Sequence, residues 1–130
     1  MTDSKVLIDS WAWIEYWRGG PRSKDAAVFI EGKEEAYVST INIAEVYRWF
    51  LAFYDDVAAE EAIQTIRERC HRVSVSTDIA VDAAKIRHRK KWGLGDSLIF
   101  ATAEHVDARI VTGDPDFREE NRTVFLGKRS

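Results

Sequence analysis

The sequence has little that would cross-link, kink or anchor it. A single cysteine, Cys70, excludes a disulfide within the chain and any thiolate-rich zinc site. With only two prolines and seven glycines in 130 residues, the chain reads as regular elements joined by short turns. No apolar run reaches the ~18 residues that a membrane span requires. The opening residues, Met1-Thr2-Asp3-Ser4-Lys5, do not lead from a basic stretch into a long apolar one. A soluble, cytoplasmic protein with no membrane partner is expected. A dominant charge is missing too: 19 basic against 22 acidic residues leave a net −3, which neither marks nor excludes a nucleic-acid binder. The three histidines, His71, His88 and His105, lack the paired spacing of metal ligands. There is no internal repeat and no low-complexity tract.

What is present is a globular composition, 45% hydrophobic and 12% aromatic, in a chain long enough for one domain over 1–130. A chain of this size buries roughly two thirds of the surface its unfolded form exposes, so it needs no staples. Residues 5–9 read as a short buried strand ending on Asp9. A dense helix over 10–17 carries Trp11, Trp13, Ile14 and Trp17, and Gly19-Gly20-Pro21 stops it. Ser23 is placed to cap a second helix. Strands follow over 36–39, 72–75, 109–112 and 123–126, the one over 72–75 at an edge. Helices fill 40–54 and 58–69, a further helix is capped by Thr77 or Asp78, and another runs over 96–106. Short strands alternating with helices imply right-handed parallel crossovers. The expected fold is α/β, a three-layer α/β/α sandwich with a short, mostly parallel five-stranded sheet.

In such sheets ligands bind beyond the carboxyl ends of the strands. Acids collect there. Asp9 ends the first strand, Glu45 lies one turn into the helix after the second, Asp96 follows Leu94-Gly95, and Asp114 follows the fourth strand in Thr112-Gly113-Asp114-Pro115-Asp116. Each acid also reads as a helix-starting residue: Asp9 and Asp96 as N-caps, Glu45 as the far end of a capping box beginning at Asn42, Asp114-Pro115 as an N-cap with proline at N1. Together they repel one another, and a bound cation relieves that repulsion. Carboxylates without histidine or thiolate partners suit a hard ion, Mg²⁺ or Mn²⁺, which can activate water and neutralise charge on a phosphodiester.

The pattern Val6-Leu7-Ile8-Asp9-Ser10, Asn42-Ile43-Ala44-Glu45-Val46, Gly95-Asp96-Ser97-Leu98-Ile99 and Val111-Thr112-Gly113-Asp114-Pro115-Asp116-Phe117 resembles the PIN-domain family of metal-dependent ribonucleases, and within it the small VapC-type toxins of toxin–antitoxin pairs. The resemblance spans nearly the whole chain. It implies that Asp9, Glu45, Asp96 and Asp114 are the catalytic, metal-binding acids, and that Asp116 is a further ligand. It also implies that the hydroxyls of Ser10 and Thr112 support them. One or two Mg²⁺ or Mn²⁺ ions, endonucleolytic cleavage of single-stranded RNA, a homodimer and an antitoxin partner are implied with it. A receiver-type signalling module does not fit, because no paired acids follow the first strand. A PIN-fold RNA-processing nuclease without an antitoxin, and a non-catalytic interaction module, are the other readings.

Two features stand outside the acids. The basic run of Lys85, Arg87, Arg89, Lys90 and Lys91 is either an RNA contact or a solvated helix C-terminus that complements the helix dipole. Trp92 beside it suits the core better than a stacking role. The aromatic stretches 11–17 and 47–54 carry more apolar surface than so small a chain readily hides, and this favours an interface over a large aromatic core.

Overall fold

The computed structural model describes residues 5–127. In chain order the elements are β1 (Lys5–Ile8), α1 (Ser10–Arg18), α2 (Ser23–Ile30), β2 (Glu35–Ser39), α3 (Thr40–Phe53), α4 (Asp56–Arg69), β3 (His71–Val73), α5 (Thr77–Lys90), α6 (Leu94–Val106), β4 (Arg109–Thr112), a 3-10 turn (Pro115–Phe117) and β5 (Thr123–Phe125). The sheet order is β3-β2-β1-β4-β5. Each of the four pairings is parallel, so among the described residues the sheet is wholly rather than mostly parallel. Three of the four crossovers carry helices and the last carries the 3-10 turn, which returns each strand in the same direction. β3 lies at an edge, as expected.

Strand alternation separates two cores. Val6 and Ile8 of β1 face α1 to α4, packing with Trp13, Ala26, Ile30, Val46, Phe50 and Ile66. Leu7 faces the other way, toward α5 and α6, with Ile79, Ile86, Ile99, Phe100 and Phe117. These are the three layers. Leu7 and Ile8 have no exposure. Each such side chain stabilises the fold by about 1.5–3 kcal/mol through burial.

The helix starts correct several expectations. Ser23 is the first residue of α2 and does not cap it; Arg22 precedes the helix without a side-chain hydrogen bond. Ser76, not Thr77 or Asp78, caps α5, accepting from Ile79 N. The capping box of α3 pairs Ser39 with Asn42, so Glu45 takes no part in it. Gly19 ends α1 at φ +66, a left-handed conformation that glycine adopts without penalty. Lys91 ends α5 at φ 64, where a side chain is strained.

Candidate active site

The chain runs β1, β2, β3 outward to one edge, then returns to lay β4 against the other side of β1. The gap between the carboxyl ends of β1 and β4 is therefore the switch point of the sheet, where open parallel sheets hold ligands. Ile8 pairs with Val111, and the Asp9 amide continues the ladder by donating to Val111 O at 3.0 Å. Asp9 thus comes level with Thr112.

Asp9 occupies the N-cap position of α1, yet its carboxylate does not cap the helix. It is buried, and it points across the switch point instead. Oδ2 accepts from Thr112 Oγ1 at 2.8 Å, and Oδ1 accepts from Asn42 Nδ2 at 3.0 Å. Thr112 Oγ1 in turn accepts from the Asp114 amide at 3.0 Å. Asn42 Nδ2 also donates to Ser10 Oγ at 3.0 Å, and Ser10 Oγ donates to Glu45 Oε1 at 2.7 Å. One continuous network therefore ties β1, α1, α3 and β4 together and fixes the carboxylates it touches. Asn42 is fully buried and is its branching point. Its Oδ1 accepts from Ser39 N at 2.9 Å, which orients the amide group and sends both Nδ2 hydrogens into the site. From the sequence alone Asn42 reads only as the start of a capping box. The signal was present: a Ser39-x-x-Asn42 box ties Asn42 to the strand end, beside the residues that close β1.

Asp96 sits in the first turn of α6, two residues after Leu94; the cap position belongs to Gly93, which makes no side-chain hydrogen bond. Asp114 does cap, as its Asp-Pro context suggests: Oδ1 accepts from the Asp116 amide at 3.0 Å and starts the 3-10 turn. The 3-10 turn swings Asp116 back, so that ligand oxygens of Asp96, Asp114 and Asp116 lie within 4.8 Å of one another. Asp9 and Glu45 stand beside this trio and outside it. Glu45 Oε2 lies against Gly95, 3.9 Å from where a Cβ would be. Gly113 has a separate constraint: a Cβ there would collide with the Trp11 ring, so the indole of α1 packs directly on the loop that presents Asp114.

The electrostatics follow. Burial pushes Asp9 up to about 6, with the Thr112 hydrogen bond opposing and the charges of Glu45 and Asp114 adding to the rise. Burial also pushes Asp96 up to about 8, helped by a hydrogen bond with Asp116 and by the charges of Asp114, Asp9 and Asp116. Asp114 is raised by burial and by Asp116's charge, against the hydrogen bond from the Asp116 amide. In neutral water Asp96 holds a proton that a separate carboxylate would release. The cluster offers oxygen donors only, which fits a hard divalent cation displacing that proton.

A family model for the PIN domain matches residues 6–121. The chain belongs to the PIN domain family. Solved structures agree in fold. A toxin–antitoxin complex from Klebsiella pneumoniae superposes with a TM-score of 0.79 at 22% identity, covering 95% of this chain and 99% of that one. VapC20 of Mycobacterium tuberculosis, a sarcin-ricin loop cleaving toxin, gives 0.73 at 18% identity over 96% and 99%. VapBC2 of Rickettsia felis, bound to a promoter DNA fragment, gives 0.72 at 12% identity over 95% and 98%. No curated protein matches in sequence. This PIN domain shares the fold of these neighbours over nearly its whole length.

The remaining sequence features divide. In this PIN domain Trp13 is completely buried, its Nε1 donating to Ile8 O at 3.2 Å, and Trp17 packs edge-on against Phe50. Leu51, Phe53, Tyr54 and Val57, at the turn from α3 to α4, are exposed. The aromatic stretches are thus part core and part surface. Trp92 packs edge-on against Phe100 and Phe117, as a core residue does. Of the basic run, Lys90 is paired with Glu120 at 2.9 Å, whereas Lys85, Arg87, Arg89 and Lys91 are exposed. Cys70 is buried and its thiol is pushed up to about 12 by burial, so it is inert.

Proposed function

We propose that this PIN domain is an endoribonuclease that hydrolyses phosphodiester bonds of single-stranded RNA with the help of Mg²⁺ or Mn²⁺, and that it is the toxin of a toxin–antitoxin pair. The observation that carries the reading is the convergence of Asp9, Asp96, Asp114 and Asp116 at the switch point, three of them with oxygens within 4.8 Å of one another. Asp96, Asp114 and Asp116 would hold one ion, and Asp9 with Glu45 would complete the site or hold a second. A divalent ion there supplies positive charge for the phosphate oxygens and lowers the pKa of bound water.

The chain's own groups do the rest. Asn42 and Thr112 hold the Asp9 carboxylate in one orientation, so no reorganisation is needed when charge develops. Ser10 directs one Glu45 oxygen inward and leaves Oε2 facing Gly95, where it can accept a proton from the attacking water. Asp96 at about 8 carries a proton in neutral solution that it can surrender as the site fills with positive charge.

The antitoxin reading draws on the neighbours' assemblies and on a groove of ≈ 330 Å³ between α1 and α3, lined by Ser10, Ile14, Glu45, Trp49 and Phe53 among others. Its walls are largely apolar, with Glu45 and Arg48 as the charged residues among them, which suits an apolar partner segment that carries a basic residue toward Glu45 and an acidic one toward Arg48. The exposed Leu51, Tyr54 and Val57, which do not line that groove, suit a homodimer contact. A cytoplasmic location completes the reading.

The test is cleavage of a pool of structured and single-stranded RNAs by purified protein, with Mn²⁺ or Mg²⁺ and with EDTA. Metal-dependent cleavage that disappears in Asp96→Asn is expected. Cleavage that persists in EDTA, or in the variant at the wild-type rate, refutes the assignment.

A further inference from the structure

The second half of the basic run forms a groove of ≈ 700 Å³ that the acids do not account for. It is lined by Ala84, Arg87, His88, Lys91, Trp92, Gly93 and Leu94. Ala84, Arg87 and His88 recur at i, i+3 and i+4, a single stripe along α5, and Lys91 follows at the helix C-cap. No acid lines the groove, although the protein carries a net −3. Arg87, His88 and Lys91 are exposed, and Arg87 Nη1 donates to Trp92 O at 3.2 Å, which holds the guanidinium at the groove wall. Lys90 is turned away, paired with Glu120. Lys85 and Arg89 do not line the groove.

The opposite wall is the connection into α6. Gly93 caps that helix, and Asp96 follows within its first turn, about 5 Å further along the axis. Leu94 is 53% exposed beside the cations. The groove therefore lies at the same end of α6 as Asp96, and offers positive charge along one wall and an apolar surface on the other. That combination suits a sugar-phosphate backbone whose unpaired base rests on an apolar surface.

From this arrangement we infer that the groove seats the single-stranded RNA next to the scissile phosphate, with backbone phosphates on Arg87 and Lys91 and a base against Leu94. The inference rests on reading the acids as an RNA-cleaving site and names how the strand reaches them. The basic run then has a split role. One stripe meets RNA, and the other residues keep the helix solvated or anchor it to Glu120.

The test uses fluorescence anisotropy with a fluorescein-labelled oligouridylate in an Asp96→Asn background, so that binding is read without cleavage. The charge-removing pair Arg87→Gln/Lys91→Gln is compared with Lys24→Gln/Arg67→Gln, two exposed cations outside this groove. Loss of two phosphate contacts lowers the slope of log K against log salt by about 1.4 and weakens binding roughly 25-fold at 0.1 M salt. The control pair should change binding far less. Equal losses in both pairs, or no loss in the groove pair, overturn the inference. Equal affinity for a duplex of the same length overturns its single-strand part. A cleavage assay with the same pairs in otherwise wild-type protein separates the two readings. Groove-dependent binding without any cleavage upholds the RNA seat and rejects the nuclease; cleavage with unchanged KM in the groove pair does the reverse.

Discussion

Replacing Asp96 by asparagine should make the metal-free protein more stable, by an amount that grows with pH. The Asp96 carboxyl titrates at 3.8 in an open chain and at about 8 in the fold. The folded chain therefore keeps a proton that the unfolded chain releases. Between about pH 4 and pH 8, stability falls as pH rises, and above about pH 8 the whole cost is present. At 1.36 kcal/mol per unit, a shift of this size would correspond to roughly 5–6 kcal/mol. Asp96 is only half-buried, and solvent screening reduces that to roughly 2–3 kcal/mol. Asparagine is neutral throughout and can still donate to Asp116. Its advantage should be close to zero near pH 4 and complete near pH 8. With an unfolding entropy of about 2.1 cal/mol/K per residue, the full difference raises Tm by roughly 9 °C. Thermal melts of both proteins in EDTA across that range read it directly. Adding Mg²⁺ or Mn²⁺ should then close the gap by stabilising the wild type alone, by about 2.7 kcal/mol at a hundred times Kd. A gain that is flat with pH, or a loss of stability at high pH, would refute the idea that these carboxylates repel one another.

Three further outcomes follow from the same geometry. Binding of Mg²⁺ or Mn²⁺ at pH 7 should release about one proton, mainly from Asp96, because its carboxyl lies above neutrality without a cation; calorimetry in buffers of different ionisation enthalpy measures it, and zero release contradicts the assignment. Asn42→Ala should cost about 2–4 kcal/mol in a denaturant melt and lower cleavage, since it strands the Ser39 amide and one Asp9 oxygen in a buried site; a loss below about 1 kcal/mol would mean the network is not holding the carboxylates. Lys91→Gly should stabilise the fold by about 0.5–1 kcal/mol, by relieving the left-handed backbone at the end of α5, while weakening RNA binding; a gain in Tm with unchanged RNA affinity would leave Lys91 a purely structural cap.

How much of this is legible from the chain alone depends on where each signal is written. Asp9 is legible because the apolar run before it can only be a buried strand, and in a parallel sheet that strand must end at the ligand side. Asp114 is legible twice over, as a cap and as a site residue, and the structure has it do both. Other helix starts mislead because serine, threonine and aspartate cluster there: Ser76-Thr77-Asp78 offers three caps, and only the distance to Ile79 N selects Ser76. Asn42 escapes notice because its neighbours in space, Asp9 and Ser10, lie more than thirty residues away in sequence, and a hydrogen bond over that separation leaves no local pattern. The basic run looks uniform as a string. Helical period sorts Arg87 with Ala84 and His88, and only the fold adds Lys91 at the C-cap and shows that Glu120 claims Lys90.

The order of the strands also bears on how the chain is made. β1 lies at the centre of the sheet and is the first strand in the described chain, but its neighbour on one side is β4, which begins at Arg109. A chain growing from its N-terminus can form β1, β2 and β3 early, yet the side of β1 that receives β4 stays open until translation has passed Thr112. Asp114 and Asp116 emerge later still. A truncated or stalled product thus carries Asp9, Glu45 and even Asp96 without the loop that brings carboxylates together. The cluster of Asp96, Asp114 and Asp116 therefore assembles only after β4 has closed on β1, although one of its acids is made earlier.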